Sequence, residues 1–167
     1  MLENILLLCM IISYSISIAI VTMESMKHES ISAVVCNKKN NSTILLSMSF
    51  MFLFTILYES LRKDIISIII IVLLIIGIAG VLCTIENEIR HTIYAVISFM
   101  SILVFMFHHM KMNNILKYIF YIQVMFGTVM LIWLYMKYEI LTLEALSLVN
   151  FIIYYLYLHY ITYYKNV

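Results

Sequence analysis

Residues 59–83, ESLRKDIISIIIIVLLIIGIAGVLC, decide the architecture. A charged turn from Glu59 to Asp64 is followed at once by an uninterrupted apolar run from Ile65 to Cys83. At about 1.5 Å per residue that run is long enough, as a helix, to cross the roughly 30 Å hydrocarbon layer of a bilayer. A second apolar run, from about Ile44 to Tyr58, stands on the other side of the turn. Six residues are too few to cross anything, so the two runs predict an antiparallel helical hairpin whose outer ends return to one face.

Composition extends this reading to the whole chain. Hydrophobic residues make up 65% of the 167 and charged residues only 11%, far from the roughly 45–50% and about 25% of soluble domains. An integral membrane protein is expected. Apolar runs recur at about 4–23, 44–58, 65–83, 91–107, 115–136 and 143–160. They predict an all-α polytopic membrane bundle: six transmembrane helices in a single transmembrane domain, 1–167, with both termini on the same side. The first run lacks a basic n-region and a small-x-small cleavage site, so it reads as a span rather than a signal peptide. Proline is absent and glycine numbers only three, so the interrupted helices of many transporters have no signature here. A net charge of +1 without a basic tract excludes nucleic acid as an expected partner.

Small residues foretell where helices approach. Ser13 and Ser17, with Ser15 and Ala19, sit one turn apart in the first run, and Gly77, Ala79 and Gly80 thin the third. Orientation is less decided, because the Lys and Arg residues divide evenly. Arg62, Lys63, Lys111, Lys117 and Lys165 fall on the face of the termini, and Lys27, Lys38, Lys39, Arg90 and Lys137 on the other. Asn40 with Ser42, and Asn41 with Thr43, form overlapping glycosylation acceptors. These acceptors and Cys36 favour cytosolic termini. Cys36 and Cys83 share a face, where they are candidates for a disulfide if that face is oxidising, with two free thiols as the competing reading.

No Asp, Glu, Lys or Arg lies in the middle of any run, and proton-coupled pumps need such groups. Deep polarity is confined to Gln123, Asn150 and hydroxyls, which read either as interhelical packing bonds or as the lining of a pore. Two interfacial clusters remain. One joins Glu86, Glu88, Arg90 and His91 to Glu139 and Glu144, with Glu86, Arg90, His91 and Glu144 as the candidate interfacial site. A carboxylate and a histidine there could hold a lipid headgroup or exchange a proton; both also suit simple helix starts. The second cluster sets Glu59, Arg62, Lys63 and Asp64 beside His108, His109, Lys111 and His159, as a wet interface. No i,i+4 histidine pair exists, so neither a metal nor another cofactor is expected. The chain also lacks G-x-S-x-G, H-E-x-x-H, CxxC and a phosphate-binding loop, and no catalytic residue is assigned.

His91-Thr-Ile-Tyr-Ala95-Val-Ile-Ser-Phe99 resembles the H-x-x-G-A-x-x-x-F opening of the fourth helix in the six-span damage-regulated autophagy modulator family, which includes the Frag and Sfk proteins. Gly77-Ile-Ala-Gly80 is similar to the end of that family's third helix, and Glu144 to the acidic residue opening its sixth. Tyr94 stands where the family commonly has glycine, the sixth run lacks the tryptophan that often follows the acidic residue, and the first loop has neither proline nor paired cysteines of its own. The resemblance implies a non-enzymatic protein of endomembranes or the plasma membrane, tied to autophagy, lipid organisation or glycolipid-anchor maturation.

The leading expectation is therefore a non-enzymatic multi-pass protein acting through contacts with membrane lipids, a membrane-protein partner or further copies of itself. A small oligomeric channel or carrier lined by Gln123 and Asn150 is the alternative. A membrane-embedded lipid hydrolase using the histidines ranks third, since a paired H-x-x-x-H is missing.

Overall fold

A computed structural model of the chain describes residues 2–24, 41–84, 89–136 and 141–165. Six helices account for nearly all of them: α1 (Leu2–Glu24), α2 (Asn41–Arg62), α3 (Ile65–Leu82), α4 (Ile89–His109), α5 (Asn114–Tyr135) and α6 (Leu141–Tyr160). A 3₁₀ turn, Met110–Met112, links α4 to α5, and a π-helical turn, Ile161–Lys165, continues α6. All six helices are long and apolar enough to cross a membrane, and no strand occurs among the described residues. The chain is a helical multi-pass membrane protein, as its composition predicts.

The helices outrun the apolar segments that announce them. The second run ends at Tyr58, yet α2 continues through Glu59 and Arg62. Those two residues lie three apart on the helix, and their charges pair instead of breaking it. The connection to α3 shrinks to Lys63 and Asp64. Asp64 caps α3, its side chain accepting from the Ile66 (3.1 Å) and Ser67 (3.3 Å) amides, while the Ser67 hydroxyl donates to its second oxygen at 2.9 Å. Lys63 takes φ 58°, the left-handed position after a helix that glycine fills most easily. Lys63→Gly is therefore expected to raise stability by up to about 1 kcal/mol. Lys63→Val is expected to lower it, since a β-branched residue resists that conformation. Unfolding midpoints in detergent check both signs.

The chain divides into two compact units, Met1–Ser98 and Phe99–Val167. In the first, α1 and α2 run antiparallel, with Ser17 opposite Ser47 and Val21 clustered with Ile44, Met48 and Leu82. Lipid tails solvate leucine as well as a protein core does, so association rests on close packing and interhelical hydrogen bonds. The Ser17 and Ser47 hydroxyls meet at 2.6 Å, both buried. Each also lies on a carbonyl of its own helix, Ser13 O at 3.2 Å and Ile44 O at 3.0 Å, so one proton bridges the helices while the other stays at home. Of the four small residues in α1, Ser13 and Ser17 face α2, whereas Ser15 and Ala19 face outward. Gly77 and Gly80 of α3 admit α4: a Cβ on Gly77 would lie 2.8 Å from the Ser98 amide nitrogen, and one on Gly80 would strike the Tyr94 ring.

In the second unit α5 runs against both its neighbours. The Phe99 ring covers Gly127, and Phe107 packs on Phe120 at 6.0 Å. Tyr154 of α6 donates to the Met106 carbonyl at 2.6 Å, and Phe105 stacks on Tyr155 at 5.6 Å; α4 and α6 run parallel because α5 runs against each. Hydroxyls on outward or half-buried positions serve their own helices. Ser49 donates to the Leu45 carbonyl, Thr55 to Met51, Ser60 to Ile56, Ser98 to Tyr94 and Thr128 to Val124, all at 2.7–3.0 Å.

Candidate functional site

The junction of α3 and α4 is built from the end of α3 upward. Cys83 closes the helix, its amide donating to the Ala79 (3.0 Å) and Gly80 (3.3 Å) carbonyls. Thr84 turns its hydroxyl back to the Gly80 carbonyl at 2.7 Å and meets His91 Nδ1 at 3.2 Å. A hydroxyl has one proton, and the shorter bond takes it. Thr84 Oγ1 must then accept from His91, which fixes the proton of the neutral imidazole on Nδ1 and leaves Nε2 as the acceptor nitrogen. His91 is 9% exposed although Arg90 and Thr92 beside it are exposed. His91 is thus held to Thr84, a partner that its sequence surroundings do not announce.

The remaining members of that cluster lie apart in the chain. Glu86, Glu88 and Glu139 fall outside the described residues, as do Cys36 and Asn40. Arg90 belongs with His91 to the first unit, and Glu144 to the second. Glu144 is half-buried in the first turn of α6, where the helix dipole favours a carboxylate. Asn41 is the first residue of α2, and Cys83 is exposed at the end of α3.

Gln123 and Asn150 come together. Asn150 Nδ2 donates to Gln123 Oε1 at 2.8 Å and to the Ile119 carbonyl at 3.2 Å, while Gln123 Nε2 donates to Ser147 Oγ at 2.5 Å. The Ile119 carbonyl decides the amide orientations, because only a nitrogen of Asn150 can face it, and only an oxygen of Gln123 can then face that nitrogen. All three side chains are buried, Gln123 completely. Antiparallel α5 and α6 put residues summing to about 270 at one level, which explains why 123 finds 147 and 150. Ser147 was missed because a serine in an apolar run carries no signal by itself. Its place three residues before Asn150, on the same helix face, is the clue.

Of the second cluster, Glu59 and Arg62 belong to the first unit and His108, His109 and His159 to the second. Glu59 is fully buried, and Arg62 Nη1 reaches both of its carboxylate oxygens, at 3.0 and 3.2 Å. His109 and His159 are also buried. The His109 ring packs edge-on against Phe105 at 4.9 Å and against His108 at 4.6 Å, and His159 lies on Tyr163 at 4.9 Å. Aromatic rings lie against both of these histidines. Tyr14 Oη is the one buried side-chain polar atom that lacks a hydrogen bond among the described residues. Comparison of the chain with protein-family models, with curated proteins and with solved structures gives no match.

Proposed function

We propose that this membrane protein acts by contact rather than by turnover, binding lipids or a membrane-protein partner, in a role of the membrane-organising or autophagy-linked kind that the family resemblance implies. One observation carries the reading. The polar side chains within the spans hold helices to each other, as in Ser17 with Ser47 and in Gln123 with Ser147 and Asn150, while the outward faces are apolar from Leu2 to Leu156. The same pairing removes Gln123 Oε1 and Asn150 Nδ2 from any pore lining, which disfavours the channel alternative. His91 in one unit and Glu144 in the other are the first residues to replace. The termini are proposed to face the cytosol, in an endomembrane or the plasma membrane.

The test is lipid and partner retention by the purified full chain, read by mass spectrometry, together with a turnover assay on phospholipid and sphingolipid substrates. His91→Ala and Glu144→Gln are each expected to lower retention about three- to five-fold, the size of one lost hydrogen bond in a membrane. Turnover is expected in neither the wild type nor the variants. Hydrolysis of a lipid by the wild type, abolished in both variants, would overturn the proposal.

A further inference from the structure

Charge is divided unevenly along the second unit. From Phe99 to Val167 its only Asp or Glu residues are Glu139 and Glu144, which fall in the chain between the end of α5 and the first turn of α6. The opposite end of the unit, where α4 and α6 finish and α5 begins, has Lys111 in the 3₁₀ turn, Lys117 in the first turn of α5 and Lys165 at the close of the π-helical turn. No Asp or Glu of this unit stands there.

Lys111 and Lys117 have no answering charge. Both are exposed, and neither ammonium takes part in an ion pair or a hydrogen bond among the described residues. Arg62, by contrast, has Glu59. The backbone that carries the two lysines is ordered by its own bonds: Asn113 Oδ1 accepts from the Ile115 amide at 2.8 Å, and the Lys117 amide donates to the Asn113 carbonyl at 3.2 Å.

A second observation, independent of the first, sets their depth. The span of α4 runs to Met112 and that of α5 starts at Asn114, so each lysine lies within one turn of the point where the chain leaves the apolar layer and re-enters it. Exposed tyrosines stand near the same ends: Tyr118 on α5, and Tyr160 stacked on Tyr164 at 6.2 Å where α6 finishes, each 52–68% exposed. Tyrosine gathers where headgroups meet acyl chains. A lysine at that level lays its methylenes along the apolar surface and brings its ammonium to the phosphates.

We infer that this end of the second unit docks the headgroup of an anionic phospholipid, whose negative charge answers the Lys111 and Lys117 ammonium groups. Lysine meets phosphate as a point charge and needs no fixed fork geometry, which suits a headgroup that exchanges with the bilayer. A zwitterionic lipid brings its own cation and gains less from the same pair. The inference rests on the contact reading and deepens it by naming a lipid class and its place, and it uses neither His91 nor Glu144.

The test is electron spin resonance of spin-labelled phosphatidylglycerol and phosphatidylcholine with matched acyl chains, each in phosphatidylcholine vesicles holding the full-length chain. Lipid at the protein surface gives the motionally restricted part of the spectrum. Wild type is expected to favour phosphatidylglycerol, and Lys111→Gln and Lys117→Gln are each expected to lower that preference about five-fold, the effect of one lysine at a membrane surface. Lys117→Arg keeps the charge and is expected to keep the preference. Lys63→Gln removes the same charge from the first unit and is expected to leave the preference unchanged. Equal restriction of the two lipids by wild type would overturn this inference alone, since the contact reading asks only for retained lipid or partner and is tested at His91 and Glu144. A loss in Lys63→Gln as large as in the other two would also overturn it, because the preference would then belong to the net charge of the membrane face. Displacement of phosphatidylglycerol by inorganic phosphate, beyond that by chloride at equal ionic strength, would assign the lysines to a soluble anion and overturn it too.

Discussion

Arg62→Ala is expected to destabilise the protein by about 3–5 kcal/mol, the largest single effect in the chain. Glu59 is wholly buried, the Arg62 side chain is 6% exposed, and one guanidinium nitrogen faces both carboxylate oxygens. Removing the cation leaves a carboxylate away from water and without its nearest countercharge, and the medium around the helix cannot solvate it. The cost belongs to the stranded charge and not to the pair. The double variant Glu59→Leu with Arg62→Leu is accordingly expected to lie within about 1–2 kcal/mol of wild type, because well-packed apolar side chains often replace a buried pair without loss. Reversible unfolding in mixed micelles, applied to the two singles and the double, measures the coupling directly. A loss under 1 kcal/mol for Arg62→Ala would mean that water reaches Glu59 freely.

The second large effect comes from adding a single carbon. Gly77→Ala is expected to cost about 3 kcal/mol, at the upper end for overpacking, and Gly80→Ala somewhat less. The difference lies in what each Cβ meets. At Gly77 it meets the Ser98 amide nitrogen and Cα, at 2.8 and 3.1 Å, as well as the hydroxyl. Backbone cannot step aside, so α3 and α4 must separate along several turns and lose the contacts that hold them. At Gly80 the obstacle is the Tyr94 ring, which is attached by a rotatable bond and half-exposed. Tyr94→Ala is therefore expected to restore most of the loss caused by Gly80→Ala, whereas Ser98→Gly should rescue Gly77→Ala little. The same unfolding measurement decides between the two. Equal rescue at both sites would show that side chains, not backbone, set the spacing of these helices.

The spans were readable because apolar length is the one property a bilayer demands. The hairpin of α2 and α3 followed from a connection too short to cross, and a close approach at the far end of α3 from two glycines one turn apart, though not that the approaching helix is α4. What escaped was the partner of each polar group. A serine at 147 and an amide at 123 are ordinary letters until two antiparallel helices bring them to one level, and the register of those helices is set by packing far from either residue. Helix ends escaped for a related reason. Glu59 looked like the edge of the membrane because it is charged, but a charge with a countercharge one turn away is compatible with burial. His91 looked like a group awaiting a ligand, yet Thr84, seven residues earlier in the chain, already holds its Nδ1. Gly127 gave no warning at all, being a lone glycine in an apolar run, and only the Phe99 ring above it explains why nothing larger stands there.

The hydroxyls that fold back on their own helices bear on how the sequence is free to drift. Ser49, Thr55, Ser60 and Thr128 each give their proton to the carbonyl one turn earlier, so lipid sees little of their polarity and loses little when they change. At such positions serine, threonine, alanine and valine become near-synonyms, and lineages can wander among them without selection noticing. Ser17, Ser47 and Ser147 bear the same letter but reach across to a neighbouring helix. In a saturation screen the two kinds of serine should separate cleanly, the first tolerant and the second not, and that division would map the helix contacts of this protein from mutational data alone.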